Sequence, residues 1–196
     1  KTEYIVAGSK ANNTGKGSIV NGNTTLVIED RIIQYEADPS KGAVVGGNYI
    51  KASSPSAGMV SQTNSTVGDT SVTINGGTFA PSQSSTAESN GGINLSPAVI
   101  GGGLAYGGSS FAENYAHVDT PDMQLKLTTG NSSLQINGGT YNGHVVAGSG
   151  VTGQGTSSTA QSAAVTINAA KNKTVTLGNN SILIGGDYLA NRGKSE

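Results

Sequence analysis

The sequence predicts an all-β fold, a β-solenoid of about four turns with three strands per turn and long loop insertions. Three observations support this prediction. Short apolar motifs recur along the chain in one order, the loops between them vary in length while the motifs do not, and Gly, Ser, Thr and Asn together form nearly half of the 196 residues. Small residues suit tight corners, and an insertion can leave a solenoid at a corner without disturbing the stacked strands.

Motif A is the clearest repeat. It spans Val72–Phe79 as Val-Thr-Ile-Asn-Gly-Gly-Thr-Phe and returns at Leu134–Tyr141 as Leu-Gln-Ile-Asn-Gly-Gly-Thr-Tyr. Looser copies lie at Leu26–Ile28 and Val175–Asn180. Its apolar residues alternate with polar ones, which is typical of a half-buried strand, and the Asn-Gly-Gly that follows predicts a sharp corner.

Two further motifs complete the repeat. Motif B has two apolar residues followed by small ones, and its copies are Ile5–Gly8, Val44–Tyr49, Val99–Gly102, Val145–Gly148 and Leu183–Tyr188. Motif C is a short apolar segment before each A, with copies at Ile19–Val20, Met59–Val60, Leu125–Leu127 and Val165–Ile167. The order is one B followed by C, A and B four times, with the A copies 46, 62 and 41 residues apart. A globular sandwich also uses short strands, but it does not predict the same three motifs in the same order.

The composition alone would also fit disorder, but the ordered repeats favour a folded chain. We expect disorder only locally, at Ser82–Asn90 and Thr152–Gln161, and a short helical turn at Phe111–Val118 but no long helix. The two long insertions are Ala80–Pro97 and Leu104–Met123. We predict a single domain over residues 1–196, and the strand motifs near both ends favour a segment of a longer rod.

Charge and cysteine content exclude several kinds of protein. The formal net charge is −1, and the 12% of residues that are charged have mixed signs, which argues against binding to nucleic acid or to an anionic membrane. The chain has no cysteine, so it has no disulfide and no zinc–thiolate site. No apolar run reaches the ~20 residues of a membrane-spanning helix. We predict no nucleic-acid partner, no membrane insertion by this segment, and no metal or cofactor.

The motifs resemble those of a known family. The pairs Ile74–Phe79 with Val99–Gly102, and Ile136–Tyr141 with Val145–Gly148, resemble the passenger repeats of bacterial autotransporter-type surface proteins. The resemblance implies a right-handed parallel β-helix that acts as an adhesin. It also implies a secreted or cell-surface location, with attachment to the outer membrane through a region not present here. The sequence departs from the family in having no translocator barrel, linker helix or serine-protease motif.

A β-helix can also be an enzyme that acts on polysaccharides, and such enzymes need clustered carboxylates. The densest ionisable group lies in one predicted loop and comprises Glu113, His117, Asp119, Asp122 and Lys126. A charged loop is commonly a solvated surface, and His144 beside Val145 and Val146 suits a structural or solvent-facing role more than a catalytic one. We therefore predict a noncatalytic protein, with a carbohydrate-active enzyme as the alternative.

The candidate binding residues lie in or beside the insertion Leu104–Met123, because the loops that do not repeat are expected to carry specificity. They are Tyr106, Phe111, Tyr115, His117 and Asp119. Aromatic rings beside amides and hydroxyls can stack on sugars or anchor a protein. The predicted partner is a surface glycan, a protein ligand, or a second copy bound through loops and polar solenoid faces. Two other interpretations stay open: Phe111 and Tyr115 pin the loop to the solenoid, or the chain is only a rod segment.

Overall fold

A computed structural model describes residues 4–12, 19–20, 22–30, 43–52, 63–79, 97–107, 125–152, 156–179 and 181–190. Within these residues the protein is all-β, without a helix, and every strand pair is parallel. The strands are β1 (Tyr4–Val6), β2 (Lys10–Asn12), β3 (Ile19–Val20), β4 (Thr24–Ile28), β5 (Ala43–Val45), β6 (Tyr49–Ala52), β7 (Thr63–Val67), β8 (Thr70–Ile74), β9 (Thr78–Phe79), β10 (Pro97–Ile100), β11 (Leu104–Gly107), β12 (Leu125–Ile136), β13 (Gly139–Tyr141), β14 (His144–Val146), β15 (Gly150–Thr152), β16 (Thr156–Ile167), β17 (Val175–Leu177), β18 (Leu183–Ile184) and β19 (Tyr188–Ala190).

Motif B forms the first sheet, with strand order β1-β5-β10-β14-β18. The five predicted copies therefore stack in chain order, and their first apolar residues are in register: Ile5, Val44, Val99, Val145 and Leu183. Val44 belongs to one buried cluster and Val45 to another. Both faces of this sheet are thus covered, which explains why motif B has adjacent apolar residues instead of alternating ones.

A second sheet, β19-β15-β11-β6-β2, follows the glycine corner of motif B and is absent from the sequence prediction. Its strands are short and share no common residue pattern, and three of them begin with a residue of the buried core: Tyr49, Leu104 and Tyr188. The predicted insertion Leu104–Met123 therefore starts too early, because Leu104 is the buried first residue of β11 and the strand continues to Gly107.

Motifs C and A lie in one six-stranded sheet, the third, in which β12 runs through both motifs. The first half of β12 pairs with β7 and its second half pairs with β8. On its other side, β12 pairs with β16 along most of its length. The prediction of three strands per turn is therefore wrong, since C and A are successive parts of one sheet and the described strands form four sheets.

The last copies of motifs C and A also differ from the prediction. Val165–Ile167 pairs with Leu134–Ile136, so it is a copy of A and not of C. Val175–Leu177, predicted as A, is β17 and pairs with Gly139–Tyr141. The C position is occupied by the first residues of β16, in part of the stretch for which we predicted disorder. Apolar matching misses this strand because its first residues are Ser, Thr, Ala and Gln.

The final Thr-Phe or Thr-Tyr of motif A forms a fourth sheet, ordered β17-β13-β9. The corner that precedes it is the one that Asn-Gly-Gly predicts. Gly77 and Gly139 have φ of +118° and +117°. Backbone conformations with positive φ favour glycine, because glycine has no Cβ.

Two clusters form the core. The first lies between the first, third and fourth sheets and contains Val72, Ile74, Leu134 and Ile136 together with the rings of the fourth sheet. The second contains residues of the first sheet and the leading residues of the second: Val45, Tyr49, Ile100, Leu104, Val146 and Tyr188. At the two ends of the stack the equivalent side chains are only partly buried: Ile5, Val6, Leu26, Val165, Val175, Leu183 and Ile184.

Several sequence predictions concern residues that the structure does not describe. They are motif C at Met59–Val60, the stretch Ser82–Asn90, the helical turn Phe111–Val118 and most of both insertions. In the part of the chain that is described, no helix has the length and apolar character needed to cross a membrane.

Candidate functional surface

The outer face is the solvent side of β4, β8, β12 and β16. Along β4, β8 and residues 132–136 of β12, the inward residues are more buried than the outward residues between them, and pairing in register with β12 extends this alternation to β16. Pairing in register aligns the outward residues in two rows across the strands: Thr25, Ser71, Ser133 and Ala164 in one, and Val27, Thr73, Gln135 and Thr166 in the other. None of them is charged, and most carry a hydroxyl or an amide. The outer face therefore offers neutral hydrogen-bonding groups at the strand spacing of ~4.8 Å.

A ladder of side chains flanks these rows and holds the strands in register. The N–H of Asp69 donates to Asn23 Oδ1 at 2.9 Å, and the N–H of Asn131 donates to Asp69 Oδ1 at 2.7 Å. Ser162 Oγ then donates to Asn131 Oδ1 at 2.7 Å. These exposed groups are engaged with one another, so we assign them to strand alignment.

A second ladder lies at the other end of the same strands. Asn137 Nδ2 donates to Asn75 Oδ1 at 2.7 Å, and Asn75 Nδ2 donates to Glu29 Oε2 at 3.1 Å. The Asn of motif A therefore links neighbouring repeats in addition to preceding the glycine corner.

At the corner of motif B, backbone N–H groups donate hydrogen bonds to side chains of the next repeat. The N–H of Ser9 donates to Asn48 Oδ1 at 2.8 Å, and the N–H of Gly103 donates to Ser149 Oγ at 3.2 Å. The N–H of Ser149 in turn donates to Asp187 Oδ1 at 2.8 Å. Buried Asn48 and Ser149 are thus satisfied structural groups.

His144 is buried at 1% exposure, at the start of β14. Its Nδ1 accepts the N–H of Ile182 at 3.1 Å, and its ring meets Tyr188 edge-on at 5.6 Å. Its Nε2 has no hydrogen-bond partner in the described structure. Burial lowers the pKa of His144 below its ordinary 6.5, which favours the neutral imidazole. Of the two roles predicted for this residue, these contacts are consistent with the structural one, and its burial argues against the solvent-facing one.

Of the five predicted binding residues, only Tyr106 lies in a described element. It is in β11, in register with Lys51 of β6 and Thr152 of β15. Phe111, Tyr115, His117 and Asp119 lie outside the described residues, so the structure does not test whether they come together.

The residues of the alternative, catalytic interpretation also lie mostly outside the described part of the chain. Among its members Lys126 is a residue of β12, while Glu113, His117, Asp119 and Asp122 fall outside the described ranges. Across residues that are described, no group of three or more His, Asp or Glu could hold a metal ion.

The sequence analysis predicted polar solenoid faces but did not name the residues of the outer-face rows. Their signal was present as the polar partners, such as Thr73 and Gln135, that alternate with the apolar residues of motif A. Comparisons of the chain with models of protein families, with curated proteins and with solved structures gave no significant match.

Proposed function

We propose that the chain is a noncatalytic adhesive module of a bacterial surface protein of autotransporter-passenger type, exposed at the cell surface. It binds a surface glycan or protein, or another copy of itself, through the outer face and the insertions. The observation that supports this most directly is the pair of uncharged, hydrogen-bonding rows on β4, β8, β12 and β16. A flat array of hydroxyls and amides favours a neutral, hydroxyl-rich partner over a charged one.

The architecture that we propose for this module is a right-handed parallel β-helix of about four turns. Parallel pairing throughout and the chain-order stacking of strands in the first sheet are consistent with it. The right-handed preference of parallel crossover connections favours that hand. An experimental density map at a resolution that shows the hand of the coil tests this part of the proposal.

The binding proposal is tested by placing charge on the outer face. Purified chain is assayed on a glycan array, on host cells and by bacterial agglutination. Ser133→Lys combined with Gln135→Lys should abolish binding, because both side chains are exposed at the centre of the rows. Thr176→Lys is the matched control, an exposed threonine on the fourth sheet whose substitution should leave binding intact.

The insertion is tested separately by replacing residues 108–122 with a short Gly-Ser linker, which spares β11. Loss of binding with the fold intact would assign specificity to the insertion and argue against a passive rod. Release of new reducing ends or unsaturated products from a polysaccharide by the unmodified chain would overturn the noncatalytic proposal.

A further inference from the structure

The connection between β16 and β17 contains a turn that the preceding repeat does not have. Residues 168–174 connect these strands, whereas only Asn137 and Gly138 connect β12 to β13, the strands with which they pair. The N–H of Lys173 donates to the carbonyl of Ala170 at 2.9 Å, which closes a β-turn between them. This turn is therefore an addition to the repeat.

The added turn is anchored beside the two preceding repeats. Lys173 Nζ donates to the carbonyl of Asn75 at 2.8 Å, and a Cβ at Gly138 would lie 3.2 Å from Lys173 Cδ. Asn75 follows β8 and Gly138 follows β12, so Lys173 reaches past one neighbouring strand of the third sheet to the next. We call residues 170–174 the flank turn, because these contacts place it along the side of the stack.

The flank turn exposes a sequence motif for covalent modification. Asn172 and Thr174 are both exposed, and with Lys173 between them they read Asn-x-Thr. Asn172 has φ of +68°, a left-handed conformation that asparagine adopts more readily than most residues that have a Cβ. Within the described residues the side chain of Asn172 makes no hydrogen bond. Asn-x-Ser/Thr is the acceptor motif of N-linked glycosylation, which takes place at surface turns and loops.

Other copies of this motif have side chains that are engaged in the fold. Asn131 Nδ2, the atom that would receive a sugar, donates to Asp69 Oδ1 at 3.1 Å. Asn23 Oδ1 accepts the N–H of Asp69 at 2.9 Å. The motif at Asn179 uses the hydroxyl of Ser181, which is itself a hydrogen-bond donor within the fold. Among the motifs whose side chains the structure describes, the one in the flank turn thus keeps both its amide and its hydroxyl available.

We propose that Asn172 is an acceptor for N-linked glycosylation of the folded chain, by a transferase that uses a nucleotide-activated hexose. Asn172 Nδ2 forms a bond to C1 of the hexose while the bond from C1 to the diphosphate oxygen breaks, and the nucleoside diphosphate leaves with that electron pair. The proton lost by the amide passes to a base of the transferase. This modification requires nothing of the outer face, so it does not depend on the binding proposed above.

The test measures the effect of the fold on two acceptor sites. Purified folded chain is incubated with UDP-glucose and a soluble N-glycosyltransferase that modifies synthetic peptides of residues 126–136 and 167–177, and mass spectrometry of proteolytic fragments locates the hexose. Asn172 should be modified within a few-fold of the rate of its peptide. Asn131 should be slowed about tenfold or more relative to its peptide, because its amide must first leave its hydrogen bonds.

Two variants check that the transferase reads the motif in the flank turn. Thr174→Val removes the hydroxyl of the motif at an exposed position and should abolish modification of Asn172. Thr176→Val, at an exposed threonine outside the motif, is the matched control and should leave the modification unchanged. The proposal is overturned by the absence of hexose at Asn172 in the folded chain, by slowing at Asn172 equal to that at Asn131, or by modification that survives Thr174→Val.

Discussion

Lys173 and Asp30 form an ion pair across the stacked repeats, with Lys173 Nζ 3.2 Å from Asp30 Oδ2. Lys173 Nζ also donates a hydrogen bond to the carbonyl of Asn75 at 2.8 Å. A Cβ atom at Gly138 would lie 3.2 Å from Lys173 Cδ, and one at Gly76 would lie 2.8 Å from Asp30 Cγ. The glycine that follows Asn in motif A therefore leaves room for this pair as well as turning the chain.

Breaking the pair should cost little stability. Asp30 is 58% and Lys173 29% exposed, so we expect Asp30→Asn to cost about 0–1 kcal/mol in urea unfolding. Lys173→Met should cost more, because it also leaves the carbonyl of Asn75 without this donor. The coupling in a double-mutant cycle should shrink at high salt. Lys171→Met, at an exposed neighbour, is the control, and a loss equal to that of Lys173→Met would contradict this account.

The last glycine of motif B should tolerate a side chain only at the end of the stack. A Cβ at Gly148 would lie 2.8 Å from the backbone carbon of Gly186, whereas the described residues place nothing within 4 Å of a Cβ at Gly186. We expect Gly148→Ala to lose about 1–3 kcal/mol through overpacking and Gly186→Ala to change stability by less than about 0.5 kcal/mol. Thermal unfolding measures both, and equal losses would show that the contact between repeats is not the cause.

The first sheet and the corners were predictable because their signals are local. Adjacent apolar residues followed by glycines mark each copy of motif B, from Ile5–Gly8 to Leu183–Tyr188, and the Asn-Gly-Gly of motif A marks its corner. The corners need close backbone contacts or positive φ, which glycine allows and few other residues do. The second sheet gave no comparable signal, because its five short strands share no common residue pattern.

The last repeat was misassigned for a related reason. A sequence match cannot distinguish Val165–Ile167 from Val175–Leu177, since both read as an apolar residue, Thr and an apolar residue. Pairing with β12 decides between them, and that pairing includes polar residues such as Thr156 and Ser157 that carry no apolar signal. Register between repeats is a property of the stacked strands and not of one strand.

The surface was less predictable than the fold. The aromatic residues of the insertion were the basis for predicting a binding site there. Of the five candidate residues, the structure describes only Tyr106. The outer-face rows become visible only when the register aligns residues from four strands, for example Thr73 with Gln135. Single-strand alternation predicts that such residues face outward but not that they form continuous rows.

His144 should make stability depend on pH. The unfolded chain takes up a proton near the ordinary pKa of 6.5, whereas the folded chain resists protonation until a lower pH. The folded state therefore binds fewer protons, and the contribution of His144, complete above about pH 6.5, should be lost as the pH falls through that value toward the folded pKa. Chemical denaturation at a series of pH values measures this decline.

Two variants separate His144 from other groups. His144→Asn can still accept the N–H of Ile182 but does not titrate in this range, so its pH profile should be flatter. His117→Gln removes the other histidine of the chain and should keep the decline. The reverse pattern would contradict the assignment.

The folded protein should lose stability when only the hydroxyl of Tyr141 is removed. Its ring stacks on that of Phe79, with centroids 5.2 Å apart, and its hydroxyl donates to the carbonyl of Gly138 at 2.8 Å. Burial raises the pKa of Tyr141 above its ordinary value, so the hydroxyl keeps its proton at neutral pH. Tyr141→Phe reproduces the ring that Phe79 already has at the equivalent position, and it should cost about 1 kcal/mol through the lost hydrogen bond. Tyr141→Ala should cost about 3–5 kcal/mol, because it also removes the stacked ring from the core. Equal losses in guanidinium unfolding of the two variants would show that the hydroxyl, and not the ring, dominates the contribution of this residue.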